Sequence, residues 1–112
     1  MSDATSWKAG ALLYSGRPDP AWDVGENEAL AWVKVFENLT MTRTPVPSQS
    51  RLGYRGAWLQ APDGRRWNAF LSVVWQDRDR RPDVGRGLEQ RLLETAPSDA
   101  LPNGWRAWLK SL

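Results

Sequence analysis

The sequence contains no cysteine and no histidine. Without cysteine the chain can form no disulfide and has no thiolate nucleophile. Without histidine it lacks the general base of Ser-His and Cys-His catalysis and the usual zinc and haem ligand sets. These absences exclude many enzyme classes, and we expect neither a metal nor another cofactor.

Long apolar runs are also absent. The longest stretch without a charged residue, 67–76, covers ten positions, whereas a membrane helix needs about 20. The start of the chain has neither a basic segment nor the long apolar stretch of a signal peptide. We therefore predict a cytoplasmic protein without a membrane span.

Tryptophan, in contrast, is abundant, with eight in a chain of 112 residues. This length predicts one domain over 1–112, with 1–6 as a frayed terminus. Hydrophobic residues make up 41% and charged residues 25%, which is typical of a soluble globular protein. Eight indole rings would supply a large share of so small a core.

The charged side chains are unevenly spread. Residues 43–91 hold ten basic and five acidic side chains, whereas 1–42 hold three and six. Most basic residues are arginine, which suits bidentate and stacked contacts. The middle segment suits an acidic partner or nucleic acid, although interleaved Asp and Glu favour plain surface ion pairs.

The spacing of apolar residues predicts the order β-α-β-β-α and a short C-terminal helix. Alternation predicts a strand over 7–15, with apolar residues on both faces that place it inside a sheet. A stripe at intervals of three and four predicts a helix over 23–41, begun by a capping box of Asp23 and Glu26. The same spacing predicts helices over 84–96 and 105–112. We expect an α+β fold with a small, mainly antiparallel sheet and helices packed on one face.

Residues 52–61 and 66–76 predict a β-hairpin. The Asp-Gly step between them is typical of a two-residue type I′ turn, which would pair positions whose numbers sum to 127. This register places Trp58 and Trp67 on the core face. Residues 77–82 predict a charged, solvated turn, and the glycines that follow weaken the start of the next helix.

The tryptophans fall into two predicted groups. Periodicity assigns four of them to the core: Trp32, Trp58, Trp67 and Trp75. The others lie near ends and loops and are candidates for exposure: Trp7, Trp22, Trp105 and Trp108. Exposed tryptophan near arginine is typical of protein-interface hot spots and of platforms that stack sugars or nucleobases.

The segment 15–22 is the most constrained part of the sequence. Two prolines separated by one residue fix φ twice and hold Arg17 and Asp19 in extended geometry. A stiff loop presents side chains at low entropic cost, which favours binding. The segment also fits an architectural turn, with Arg17 tied to a carboxylate and Trp22 covering the core.

The run Leu-Gly-Tyr-Arg-Gly at 52–56 places two glycines in a predicted strand. Glycine weakens a strand unless backbone or a large ring must approach closely. Two interpretations follow: Tyr54 and Arg55 flank a ligand groove, or the glycines make room for tryptophan rings in the core.

Three stretches together resemble a group of small bacterial proteins of uncharacterised function. They are Ser-Gly-Arg-Pro-Asp-Pro-x-Trp at 15–22, Leu-Gly-Tyr-Arg-Gly at 52–56 and Asp-x-Gly-Arg-x-Leu-Glu at 83–89. The group has Asn more often than Asp at position 19, and the stretches cover under a third of the chain. The resemblance implies a compact single domain and carries no activity and no catalytic residue.

These observations predict a non-catalytic protein-binding module: an inhibitor, an immunity-type or accessory protein, or a self-associating module. The predicted contact residues are Arg17, Asp19, Trp22, Tyr54, Arg55, Trp105 and Trp108. The alternative is a domain that binds glycan or nucleic acid through Trp and Arg. A weaker alternative is a carboxylate enzyme that uses Asp19, Asp23 and Glu26, and it requires two carboxylates that converge in a cleft.

Overall fold

The computed structural model describes residues 6–13, 19–45, 54–101 and 104. In these residues six strands form one antiparallel sheet, in the order β2-β1-β3-β4-β5-β6, and two helices pack against it. The elements are β1 Trp7–Ala11, β2 Ala21–Val24, α1 Glu26–Glu37, β3 Ala57–Gln60, β4 Arg66–Phe70, β5 Val73–Gln76, β6 Asp79–Pro82 and α2 Gly87–Glu94. The predicted α+β class is confirmed, but the predicted element order omits β2 and β6 and merges β4 with β5. The predicted helix over 105–112 lies outside the described residues.

The strand β1 lies inside the sheet, between β2 and β3, as its two apolar faces predict. Trp7 and Ala9 are buried on one face, and Gly10 is buried on the other. Regular pairing ends at Ala11, earlier than predicted. The rest of the predicted strand includes positions 14 and 15, which lie outside the described residues.

The strand β2 lies where the sequence predicts the start of the first helix. Trp22 and Val24 are buried on one face of this strand, and Asp23 is exposed on the other. Asp23 pairs with Lys8 across the strands and accepts a hydrogen bond from its Nζ at 2.7 Å. The predicted capping box is therefore wrong, and α1 begins at Glu26 without a side-chain cap. Burial of two large side chains outweighs one cap hydrogen bond.

The apolar stripe of α1 is confirmed. Its buried residues are Ala29, Trp32, Val33 and Phe36. The indole Nε1 of Trp32 donates to the backbone oxygen of Leu88 at 2.9 Å. This bond ties the middle of α1 to the first turn of α2.

The second helix begins differently from the prediction over 84–96. A short 3₁₀ turn, Val84–Arg86, precedes α2, and Gly85 within it has φ 66°. Glycine suits this conformation because it has no Cβ. The side chains of Leu88 and Leu92 are buried, as predicted.

The predicted hairpin is formed by β3 and β4, but its register is shifted by one residue. Paired positions sum to 126 rather than 127. The turn has three residues, since the N–H of Ala61 donates to Arg65 O at 2.8 Å. Within it the N–H of Gly64 donates to Ala61 O at 3.0 Å, and Gly64 has φ 96°. Pro62 suits the second position of such a type I turn, and glycine suits its last.

The shifted register moves Trp58 to the other face of the sheet, because neighbouring residues of a strand point to opposite sides. Trp58 pairs with Asn68, and both are half-buried. Leu59 pairs with Trp67, and both are 1% exposed. The prediction that Trp58 lies in the core is therefore wrong.

Trp7 and Trp22, the two described candidates for exposure, are buried. They are only 5% and 6% exposed. Trp7 stacks on Trp67 with ring centroids 5.9 Å apart. Trp32 and Trp67 are core residues, as predicted, whereas Trp75 is half-buried and packs against the core.

A tight turn separates β4 from β5, where the sequence predicts one strand over 66–76. Its two residues, Leu71 and Ser72, have φ 47° and 72°. Both values are left-handed, as in a type I′ turn. Neither position carries the Gly, Asn or Asp that usually marks such a turn, so the sequence shows no signal for it.

The edge strand β6 occupies most of the predicted charged turn, and it caps α1 through Arg81. Nη1 of Arg81 donates to the backbone oxygens of Phe36, Glu37 and Leu39 at 3.0, 3.0 and 2.7 Å. The guanidinium carbon lies 4.7 Å from the ring centroid of Phe36. A cation at the negative end of a helix stabilises it.

Asp79 holds this capping guanidinium in place. Nε and Nη2 of Arg81 each donate to a carboxylate oxygen of Asp79 at 2.8 Å. The hydrogen bonds from Arg81 lower the pKa of Asp79 below its usual value.

Replacement of Arg81 by alanine should lower the free energy of unfolding by about 2 kcal/mol, because the last carbonyls of α1 lose their donor. Urea denaturation measures this loss. The control is Arg78→Ala, an exposed arginine in the turn between β5 and β6, which should change stability by less than about 0.5 kcal/mol. Equal losses in both variants would show that Arg81 does not act as the cap.

With the Asp79→Asn substitution, the free energy of unfolding should fall less steeply as the pH is lowered into the acid range. The pKa of Asp79 in the folded protein is lowered. The stability that its ion pair contributes is therefore fully present above the unfolded pKa of about 3.9, and it is lost as the pH falls through the lower pKa of the folded protein. Thermal unfolding across the acid range measures the slope. In an Arg81→Ala background the same substitution should leave the slope unchanged, and an unchanged slope in the wild-type background would contradict the pairing.

Candidate functional site

The structure describes four of the seven predicted contact residues: Asp19, Trp22, Tyr54 and Arg55. Arg17, Trp105 and Trp108 lie outside the described residues. The Oδ1 atom of Asp19 accepts a hydrogen bond from the N–H of Leu13 at 2.8 Å. Trp22 is buried, and its Nε1 donates to Oγ1 of Thr95 at 2.7 Å. These contacts fit the architectural interpretation of the end of segment 15–22.

Arg55 and Gly56 form a β-bulge just before β3, and Tyr54 directly precedes it. The N–H of Arg55 donates to Leu12 O, and the N–H of Leu12 donates to Gly56 O, both at 2.8 Å. Two residues thus face one on the neighbouring strand. Arg55 is exposed, whereas Tyr54 is 1% exposed. The two side chains therefore do not flank a common open groove.

Gly56 makes room for backbone and not for a tryptophan ring. It has φ 116°, and a Cβ at this position would lie 2.8 Å from the backbone oxygen of Ala69. Both facts require glycine here. Gly53, the other glycine of this run, lies outside the described residues. Gly10 of β1 makes room for an indole, a role that was not predicted.

Tyr54 is part of a buried polar cluster with Asp83, Arg86 and Glu89, called the Glu89 cluster below. Glu89 is 0% exposed and Asp83 is 4% exposed. Nε and Nη2 of Arg86 donate to the two carboxylate oxygens of Glu89, each at 2.8 Å. The Tyr54 hydroxyl donates to Oε2 of the same carboxylate. This pairing compensates for the burial of both charges.

The Glu89 cluster also fixes the backbone around it. The N–H of Leu71 donates to Oε1 of Glu89 at 3.2 Å. The carboxylate of Asp83 accepts the N–H groups of Leu88 and Glu89 at 2.8 and 3.0 Å, which satisfies the first turn of α2. The N–H of Asp83 donates to Ser72 O at 2.8 Å. One cluster thereby joins the residue directly before the bulge, the β4–β5 turn and α2.

Burial governs the protonation of this cluster. It raises the pKa of Tyr54, and the Glu89 carboxylate raises it further, so the phenol stays protonated and donates. Burial also raises the pKa of Asp83, against the opposing effect of its two backbone hydrogen bonds. A general acid or base must reach a substrate proton, and carboxylates as buried as these reach none. The cluster therefore supports the fold.

The burial of Asp83 and Glu89 was not predicted, because the local run of charges suggests solvent exposure. A signal was present in the helix pattern. Glu89 lies three and four residues before Leu92 and Leu93, within the apolar stripe of α2. A carboxylate in that stripe needs a buried partner.

A hollow between α1 and α2 is too small to be a ligand site. Its volume is about 10 Å³, and its lining includes Glu28, Trp32, Arg91 and Thr95. Such a volume holds at most about one water molecule. The described part of the sheet offers a second candidate surface.

The pairing register lines up one residue from each of the six strands in a single row. From β2 to β6 these are Ala21, Gly10, Trp58, Asn68, Trp75 and Arg80. Arg66, two residues before Asn68 in β4, points to the same side. The Trp58 face is defined here as Trp58, Arg66, Asn68, Trp75 and Arg80. Arg66 is exposed, and the other four side chains are half-buried.

Trp58 is held between Gly10 and Arg66. A Cβ on Gly10 would lie 2.7 Å from Nε1 of Trp58 and closer still to two other ring atoms, so the indole covers the glycine. On the ring, the guanidinium carbon of Arg66 lies 4.1 Å from the centroid. This cation–π contact orders the arginine before any partner binds.

Among the residues that the structure describes, neither of the two arginines of the Trp58 face is paired with a carboxylate. Over residues 6–13, 19–45, 54–101 and 104, neither Arg66 nor Arg80 has a carboxylate within ion-pair distance. Desolvation of its guanidinium group lowers the pKa of Arg66 below its usual value. The face therefore combines two indoles with two unpaired guanidinium groups.

Comparison of the chain with family models, with curated proteins and with solved structures gave no match. Within the described residues, neither helix has the length and apolar character needed to span a membrane. The described part of the chain also brings together no group of three or more potential metal ligands. The function is therefore inferred from the residues of the site.

Glu89→Gln should lower the free energy of unfolding by about 3 kcal/mol, because the guanidinium of Arg86 loses its charged partner in a buried site. Tyr54→Phe should cost about 1 kcal/mol, the value of one hydrogen bond. Chemical denaturation measures both losses.

The matched control is Glu94→Gln at the exposed end of α2, which should change stability by less than about 0.5 kcal/mol. In an Arg86→Met background the cost of Glu89→Gln should shrink, since the charge pair is already broken. A cost of Glu89→Gln equal to that of the control would contradict the structure of the cluster.

Proposed function

We propose that this protein is a non-catalytic protein-binding module and that the Trp58 face is its contact surface. In this proposal both helices cover the opposite face of the sheet. In support, Trp32 of α1 and Leu92 of α2 share one buried cluster with Leu59 and Trp67 of the sheet. Leu59 and Trp67 alternate along their strands with members of the Trp58 face, so in this proposal the two described helices do not pack on that face.

The row Trp58, Asn68, Trp75 and Arg80 is the observation that carries this proposal. It runs across four neighbouring strands and is about 14 Å long at the usual strand spacing. Tryptophan and arginine are the residues most enriched in interface hot spots, because each contributes a large contact area with directed polar groups. A half-buried row of this size matches the centre of a protein interface.

The number of free charges favours a protein over a nucleic acid. Nonspecific nucleic-acid binding depends on the neutralisation of several phosphates, and the Trp58 face supplies two unpaired cations. The outer side of the Trp58 ring is also covered by Arg66, so that ring is not free to stack a base or a sugar.

Two of the three carboxylates of the enzyme alternative, Asp19 and Asp23, already have other partners. Asp19 accepts the N–H of Leu13, and Asp23 pairs with Lys8. Neither contact suggests a pair of carboxylates flanking a bond to be cleaved, which supports a non-catalytic role. The predicted contacts of Arg17, Trp105 and Trp108 stay predictions.

Two variants of the Trp58 face test the proposal, with a matched control for each. Trp75→Ala and Asn68→Lys should each weaken binding to a captured partner at least about tenfold, since hot-spot truncation costs 2 kcal/mol or more. Leu30→Ala and Asn27→Lys, at exposed positions of α1, should leave binding unchanged. The partner is captured from a lysate of the source organism and identified, and its affinity for each variant is measured by calorimetry after circular dichroism confirms folding.

Binding that is unchanged by both Trp58-face variants and lost in the α1 controls would refute the proposal. A titration with single-stranded oligonucleotide tests the alternative. Tight oligonucleotide binding that falls steeply with salt would replace the protein-binding proposal with a nucleic-acid one.

A further inference from the structure

We infer that the Trp58 face binds an extended acidic polypeptide segment, with one carboxylate on Arg66 and another on Arg80. This inference rests on the proposed function, because it names the chemistry of the partner at that same face.

Charge complementarity is the first argument for an acidic partner. Arg66 and Arg80 have no carboxylate partner in the described part of the chain. Lys8, on the same side of the sheet, is already paired with Asp23 at 2.7 Å. The surplus positive charge therefore belongs to the two guanidinium groups, which bind carboxylates through paired, charge-assisted hydrogen bonds.

Preorganisation of Arg66 is the second argument. Its guanidinium rests on the indole of Trp58, which in turn rests on Gly10. The guanidinium carbon lies 4.1 Å from the ring centroid, so the contact restricts the cation before a carboxylate binds. Little side-chain entropy remains to be lost when a carboxylate binds.

The separation of the two arginines suits an extended chain. Arg66 lies in β4, and Arg80 lies two strands away in β6. Arg80 is in line with Asn68 across the sheet, and Arg66 lies two residues before Asn68 along β4. Standard sheet dimensions put their Cα atoms about 12 Å apart. In an extended peptide, residues four apart point to one side and are separated by about 13 Å. Acidic residues at positions i and i+4 would therefore reach both cations.

Asn68 favours an extended segment over a helix. Its side chain makes no hydrogen bond within the described residues and is half-buried, and Asn68 lies between Trp58 and Trp75 in the row. An amide both donates and accepts, so it can bind the peptide groups of a passing chain. A helix satisfies its own backbone groups, whereas an extended segment leaves them available.

Two labelled peptides of the same composition test the inference with the full-length protein. One carries its two glutamates four residues apart in a Ser/Thr/Val background, and the other carries them side by side. Fluorescence anisotropy should show about tenfold tighter binding of the first peptide. Arg66→Glu and Arg80→Glu should each weaken this binding about tenfold, and Arg91→Glu on α2, the matched charge reversal, should not.

A charge swap provides the complementary test. The double variant Arg66→Glu/Arg80→Glu should bind a peptide that carries lysines in place of the two glutamates, and the wild type should not. Recovery of binding in this pair cannot arise from a folding defect, so it separates contact from structural damage.

The outcomes distinguish this inference from the proposed function. Equal affinity for the two acidic peptides, or no effect of the arginine reversals, would overturn the acidic segment. If the binding of a captured partner still depended on Trp75 and Asn68, the Trp58 face would remain the proposed protein-binding surface, and only the acidic segment would be excluded. Tighter binding of single-stranded oligonucleotide than of either peptide would overturn the inference as well.

Discussion

Four parts of the chain meet at the buried carboxylate of Glu89. It accepts hydrogen bonds from the Arg86 guanidinium, the Tyr54 hydroxyl and the N–H of Leu71. Those groups belong to the 3₁₀ turn, the residue directly before the bulge and the β4–β5 turn. A buried ion pair adds little net stability compared with apolar side chains of similar size. It disfavours, however, any arrangement that leaves one of its charges buried without a partner. These contacts join the start of α2 to the sheet, where the helix lies against β1, β3 and β4.

Where a pattern is long and periodic, the sequence predicts the element. The apolar stripe of α1 and the interior position of β1 follow from periodicity alone, and so does the presence of the β3–β4 hairpin. The short elements do not follow in this way. A strand as short as β2 exists because Asp23 meets Lys8 and Trp22 meets the core, and these partners become neighbours only in the folded chain.

The candidate site was beyond sequence prediction because it depends on register. The three-residue turn that contains Pro62 shifts β4 by one position and turns Trp58 from the core to the opposite face. Adjacent arginines illustrate the same point. Arg80 points to the Trp58 face, whereas Arg81 caps α1. Nothing in their immediate sequence distinguishes the two, because only the strand's alternation and its place at the sheet edge assign them different partners.

The β4–β5 turn has a consequence for how the molecule opens. Leu71 and Ser72 both have left-handed backbone conformations, which cost non-glycine residues roughly 1–2 kcal/mol each. Local sequence therefore gives this turn little support, and the bond from Leu71 N–H to Glu89, 18 residues further along, supplies it from α2. Undocking of α2 removes that support, so the backbone amides of β5 and β6 exchange with solvent in the same opening event as those of the helix.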